Sequence, residues 1–275
     1  MKPQAFFLPT APGRAGQRFC LFHRWAGAEA RGVVLYVHPF AEEMNKTRRM
    51  AALQARALAA AGFGVLQIDL LGCGDSSGDF GDAAWEDWTL DVVEAAGWLR
   101  RQSPAPLWLW GLRAGCLLAA EAAGRLDQAC NFLFWQAVPN GQQPLQQFLR
   151  LKGAAEMQSG NARRVMDDLR RSLAQGDGVE VAGYSVSAAL AGGLEASALR
   201  PPAHPGRLEW FEISARADGD LSAAGAKETA RWQQASFAVR RHRVQGPAFW
   251  QTSEIEEAPH LLAATVAALS EPVLP

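Results

Sequence analysis

Gly111-Leu112-Arg113-Ala114-Gly115 stands between a short apolar run, Leu107 to Trp110, and an Ala/Leu-rich stretch that continues to about Leu126. Strand, small-residue turn and helix in that order make the layout of a nucleophile elbow, G-x-S-x-G, in which a sharp turn exposes its middle residue at a helix N-terminus. Both glycines are where the turn needs them, but the middle residue is arginine. Acyl transfer at such a turn needs an oxygen or sulfur to attack a carbonyl, and a guanidinium cannot be deprotonated for that work. It can hold an anion, because backbone N–H groups and the helix dipole at the same spot favour negative charge.

A serine-type triad on this scaffold places an acid and then a histidine after two later strands. The acid position follows an apolar run from Arg207 to Ala215, where Asp218 is the candidate and Asp220 stands beside it. The base position follows a run ending near Val244 and reads Gln245-Gly246-Pro247-Ala248-Phe249-Trp250, with no histidine. His260 is the nearest later one, at a helix start behind Pro259, and His242 lies inside the strand. Cys73, Cys116, Ser76 and Ser77 have no paired base and do not read as activated nucleophiles. The oxyanion donors are better kept: the backbone N–H of Ala114, and that of Phe40 in the loop His38-Pro39-Phe40-Ala41-Glu42-Glu43. With Phe40, Ala114, Trp135 and Trp250 around it, Arg113 marks a ligand pocket for a carboxylate, phosphate or acyl oxygen. Glu42, Glu43 or Asp218 is equally suited to neutralise it internally, since a desolvated arginine needs a partner.

These residues require a particular frame. Runs at Ala5–Pro9, Arg18–Trp25, Arg31–Val37, Phe63–Leu70, Leu107–Trp110, Cys130–Val138, Arg207–Ala215 and Ser236–Val244 read as strands. Helices are expected from an Asn45 cap to about Ala61, over Trp85–Arg101 with Trp88, Val92, Ala95 and Leu99 on one face, after the elbow, and over Ile255–Leu269. Strand alternating with helix predicts an α/β fold: a mostly parallel sheet flanked by helices, with ligands at the carboxyl ends of the strands. Between Pro139 and Pro205 that rhythm breaks into Gln-rich and Arg-rich helical segments and a Gly/Ala/Ser stretch without strand runs. This predicts a helical lid, 139–205, inserted between core parts 1–138 and 206–275.

The 275 residues are 49% hydrophobic and 20% charged, which is ordinary globular composition. A formal net charge of -1 speaks against a broad nucleic-acid face. Most of the ten tryptophans are expected in the core. Four scattered cysteines without a C-x-x-C pair argue against a structural metal or disulfide framework and suit a reducing cytoplasm. No cofactor motif appears, and no window is apolar for ~18 residues as a membrane span requires.

PFAEEMNKTRRM (Pro39 to Met50), GCGDSSGDF (Gly72 to Phe80), WGLRAGCLLA (Trp110 to Ala119) and PAFWQTSEIEEAPHL (Pro247 to Leu261) resemble the exosortase A system-associated hydrolases of the second type. The resemblance covers most of the chain and implies an α/β-hydrolase fold. It also implies an elbow arginine as a family habit, and a setting in Gram-negative protein sorting and exopolysaccharide export, with an exosortase-system protein as possible partner. It implies no substrate beyond an acyl, ester or peptide-like group, because fold licenses architecture and not chemistry. Two functions follow as expectations: a nominal hydrolase in which Arg113 stabilises an oxyanion while a carboxylate handles water, or a non-catalytic pseudo-hydrolase that binds an anionic ligand or a partner.

Overall fold

The computed structural model describes residues 2–155, 162–216 and 219–271. Strands β1 (Gln4–Pro9), β2 (Gln17–His23), β3 (Gly32–Val37), β4 (Phe63–Ile68), β5 (Leu107–Leu112), β6 (Asn131–Trp135), β9 (Arg207–Ser214) and β10 (Ala238–Gln245) form one sheet in the order β1-β2-β4-β3-β5-β6-β9-β10. Only β1 and β2 run antiparallel to their neighbours, and every pairing from β4 to β10 is parallel. Crossovers come from helices α1 (Glu42–Ala60), α2 (Trp85–Gln102), α3 (Ala114–Ala123) and α7 (Ala223–Gln234), and α8 (Pro259–Ser270) follows the last strand.

The central strands are apolar without alternation because both faces are covered. Along β3, Val33, Leu35 and Val37 join one core layer while Val34 and Tyr36 join the other. Leu107 and Leu109 of β5 divide from Trp108 and Trp110 in the same way. The first layer takes Trp88, Val92, Ala95 and Leu99 of α2 and Leu117 of α3; the second takes Met50 and Leu58 of α1 and Leu261 of α8. Most tryptophans are indeed in the core, and Trp88, Trp110, Trp135, Trp210 and Trp232 are among the largest fully buried side chains.

Several expectations need correction. Helix α1 begins at Glu42, not after Asn45, with Ala41 at its N-cap in a left-handed conformation, φ 50° and ψ -124°. That puts Glu42 and Glu43 in the first turn, where their charges complement the helix dipole. Helix α7, between β9 and β10, was absent from the expectations. Its AAGAKETARWQQ sequence offers one large apolar residue, Trp232, and its start is signalled only by Ser222, whose hydroxyl accepts the Gly225 N–H. The segment between β6 and β9 carries α4 (Gln142–Ala155), α5 (Ala162–Gln175) and α6 (Ala188–Ala196), as its composition suggests. It also contains a small antiparallel hairpin, β7 (Val179–Val181) and β8 (Tyr184–Val186), where no strands were expected. Three-residue strands are too short for period-2 patterning to emerge.

This segment packs onto the core by close approach. A Cβ on Gly193 of α6 would lie 2.3 Å from the Trp85 Cβ, so only glycine lets α6 rest on α2. Aromatic rings continue the seam: Phe148 of α4 lies 5.2 Å from Phe40 and 6.1 Å from Tyr184, and Phe80 lies 5.0 Å from Tyr184. The segment therefore stands over the carboxyl ends of β3 and β5.

Candidate functional site at the elbow

The turn after β5 is built as the glycines predict. Arg113 has φ 54° and ψ -121° and is the N-cap of α3. A Cβ on Gly111 would approach the Cys116 Cα to 2.6 Å, and one on Gly115 would approach the Val37 carbonyl oxygen to 2.3 Å. Neither site admits another residue without moving backbone. The strained arginine is pinned by its own N–H, which donates to the Trp135 carbonyl at 3.0 Å. Non-glycine residues held in such conformations cost on the order of 1–3 kcal/mol and persist where the surroundings over-determine them.

Arg113 is 6% exposed, and its guanidinium has three neighbours. Its Nε donates to Glu43 Oε1 at 3.2 Å, and Nη2 donates to Gln147 Oε1 of α4 at 2.7 Å. The Trp250 ring lies beneath its Cζ at 5.7 Å from the centroid, within cation–π range. Among the described residues, Glu43 is the carboxylate paired with Arg113. Burial pushes the Glu43 carboxyl up to about 7, opposed by Arg113, and burial raises the Glu42 carboxyl also. Each of the two glutamates has one oxygen, Oε2, that is buried without a hydrogen-bond partner.

Beside Arg113 lies a cleft of about 240 Å³, lined by Phe40, Phe148, Leu151 and Trp250 together with the Arg113 partners Glu43 and Gln147 and with Glu42. Lys46 and Arg150 add two cations to its lining. Phe40 is 3% exposed, with its ring among Phe80, Trp88 and Phe148, and Ala114 is 2% exposed in the first turn of α3. The loop carrying Phe40 is fixed from behind by His38, whose Nδ1 donates to the Pro39 carbonyl at 2.9 Å while Nε2 accepts the Leu70 N–H at 3.5 Å. Burial lowers the His38 pKa, consistent with this neutral tautomer.

Other candidates lie elsewhere. Trp135 is fully buried in the core beside Trp110, with its indole N–H donated to Thr265; it underlies the elbow and does not line the cleft. Asp218 falls outside the described residues. Asp220 is exposed, and its carbonyl accepts from Arg243. His260 is exposed in the first turn of α8. His242 pairs with Glu209 at 2.5 Å and stacks on Phe211, inside the β9–β10 edge of the sheet. Cys73 and Cys116 are buried and their thiols are pushed up by desolvation, which makes them poor nucleophiles. Gln147 was missed by sequence reading because it lies in the inserted segment, whose path over the elbow no local motif announces. Among the described residues no group of three His, Cys, Asp or Glu is arranged to hold a metal ion, and no helix is long and apolar enough to cross a membrane.

Residues 28–165, half of the chain, match the family model described as serine aminopeptidase, S33. Human protein ABHD12B is 29% identical over 124 residues, covering 43% of this chain and 33% of that protein; the chain thus spans about a third of the length of this curated relative. Among solved structures, a thermostable carboxyl esterase from Bacillus coagulans in complex with glycerol aligns over 98% of both chains at 13% identity and TM-score 0.61. A Xanthomonas campestris α/β serine hydrolase without a lid aligns over 98% of this chain and 92% of its own at 15% identity and TM-score 0.55. At these identities the structural likeness establishes the α/β-hydrolase fold alone.

Proposed function

This chain belongs to the serine aminopeptidase S33 family of α/β hydrolases, and from that premise we propose that its elbow has exchanged nucleophilic attack for recognition of an anion. The proposed ligand is a carboxylate, or an acyl compound with an equivalent oxyanion, carrying an apolar tail. The observation that supports this most is the position of Arg113. It occupies the backbone conformation of the nucleophile, at the N-terminus of α3, with a guanidinium that can donate a charge-assisted bond but cannot attack. The adjoining cleft suits the rest of such a ligand: Phe40, Phe148, Leu151 and Trp250 offer apolar surface, while Lys46 and Arg150 in its lining favour negative charge. The segment from α4 to α6 is the lid of this site. Through Gln147 it touches the same guanidinium that the ligand would use.

A second reading is favoured by Glu43. A carboxylate with a free buried oxygen and a pKa near 7, beside a cation, has the attributes of a general base acting on water while Arg113 stabilises the developing oxyanion. The resemblance of the elbow and flanking motifs to exosortase A system-associated hydrolases supports a cytoplasmic role in that sorting and export system, with one of its proteins as partner. Fluorophosphonate labelling, turnover of a series of short-chain esters, and equilibrium dialysis of octanoate decide among the readings. Octanoate binding without labelling or turnover is expected. Ester turnover that Glu43→Gln abolishes would favour the second reading, and stoichiometric labelling would overturn both.

A further inference from the structure

We propose that capture of an anion at the elbow is coupled to uptake of a proton by Glu43, the ligand oxyanion taking the place at Arg113 that the glutamate gives up. This rests on the reading of the cleft as an anion site and specifies how that site is regulated.

The geometry favours the exchange. Two N–H groups of the Arg113 guanidinium are engaged, Nε by Glu43 at 3.2 Å and Nη2 by Gln147 at 2.7 Å, so a ligand carboxylate that reaches the guanidinium meets Glu43 beside it. Placing a ligand carboxylate beside a charged Glu43 would gather two anions around one guanidinium, with Glu42 adjacent as a third. Like charges at such distances in a desolvated site cannot all remain ionised, so one takes up a proton. Glu43 is the group poised to do so. Among the described residues its side chain has Arg113 as its only polar partner, its Oε2 is buried with no donor, and the side chain is 14% exposed. Burial has already raised its carboxyl to about 7 against the pull of Arg113, so losing Arg113 to a ligand raises it further.

The other charged and titratable groups around Glu43 pull in both directions. Glu42, on the same helix turn, repels the charged form, and Lys46, one turn on, favours it. Tyr36 of β3 is near enough to be affected by Glu43, and burial holds its phenol in the neutral form. Arg150 of α4 lines the cleft, and of the loop after β10 the neutral Trp250 and Gln251 line it. The balanced step is proton transfer without covalent change. Solvent supplies one proton to the Glu43 carboxylate, the Glu43–Arg113 pair breaks, and the ligand carboxylate pairs with Arg113.

Isothermal calorimetry of octanoate binding to the wild-type chain between about pH 6 and pH 9, in two buffers of different ionisation heat, tests this without any substitution. The expected result is constant affinity below about pH 7 and a fall of up to about tenfold per unit above it, with close to one proton taken up per octanoate at about pH 8. Glu43→Gln, as a companion, should bind octanoate with affinity independent of pH and with no proton exchange. Wild-type binding that is pH-independent and buffer-independent would overturn the coupling while leaving the anion site standing. Binding to neither protein at any pH would overturn the anion site itself, and the coupling with it.

Discussion

Arg113 and Ala41 share one backbone conformation, φ 54° and ψ -121° against φ 50° and ψ -124°, at the carboxyl ends of the adjacent strands β5 and β3. Each residue caps the helix that follows its strand. The two turns face each other, and the side chains they launch meet in the Arg113–Glu43 pair at 3.2 Å. Two turns of one backbone conformation thus hold an ion pair beside a cleft.

Truncating Arg113 should therefore destabilise the fold and not merely the site. Arg113→Ala removes the counter-charge, and Glu43, already at about 7, then takes up a proton, so the loss is about 2 kcal/mol, made up of that protonation and the lost contacts with Trp250 and Gln147. Urea denaturation at about pH 8 measures it. A loss below about 1 kcal/mol would mean that water already solvates the pair.

The raised Glu43 pKa has a definite sign in stability. The folded value, about 7, lies above the ordinary 4.5, so between these two values the folded state holds a proton that the unfolded state has released. Stability from this group falls as pH rises through that window and is level above it, by roughly 1–3 kcal/mol in all. Glu43→Gln removes the dependence, so the variant's stability relative to wild type should improve from about pH 5 to about pH 8. Parallel pH profiles for the two proteins would contradict the burial of an ionisable Glu43.

Restoring the nucleophile alone should not restore catalysis. Arg113→Ser places a hydroxyl at the elbow, but the loop after β10 turns Trp250 toward it, and His260 is exposed on α8. Turnover of p-nitrophenyl butyrate by this variant is expected to stay within about tenfold of the wild type, since an unassisted serine is a weak nucleophile. A gain of a thousandfold would show that a base reaches the elbow.

The elbow glycines should be intolerant. Gly115→Ala drives a methyl toward the Val37 carbonyl at 2.3 Å and is expected to cost about 3 kcal/mol, read as a lowered urea midpoint. Gly192→Ala on α6, where no atom lies within 4 Å, is the control and should be neutral or slightly stabilising.

Much of this was legible in the sequence, and the limits are physical. Continuous apolar runs such as Val33–Val37 announce doubly covered strands, and Gly111 and Gly115 announce the elbow. The start of α1 was misplaced because Ala41 has no capping side chain, and Asn45 gave a capping signal with no cap to make. Helix α7 was hidden by small and polar residues, with Trp232 alone reaching the core. Glu43 was legible as one possible partner of Arg113, but its selection over Glu42 depends on where helix α1 begins. Trp135 was assigned to the ligand from its place at a strand end, yet a strand's last residue still alternates, and this one faces the layer beneath α8.

The most direct measurement is thermal unfolding of wild type and Arg113→Ala with octanoate, octanol and octylamine, each up to millimolar concentrations. An anion site at the elbow predicts that octanoate alone raises the wild-type melting temperature, by a few degrees at roughly a hundred times its Kd, and leaves Arg113→Ala unmoved. Equal stabilisation of both proteins by octanoate, or stabilisation of the wild type by octanol as large as by octanoate, would contradict it.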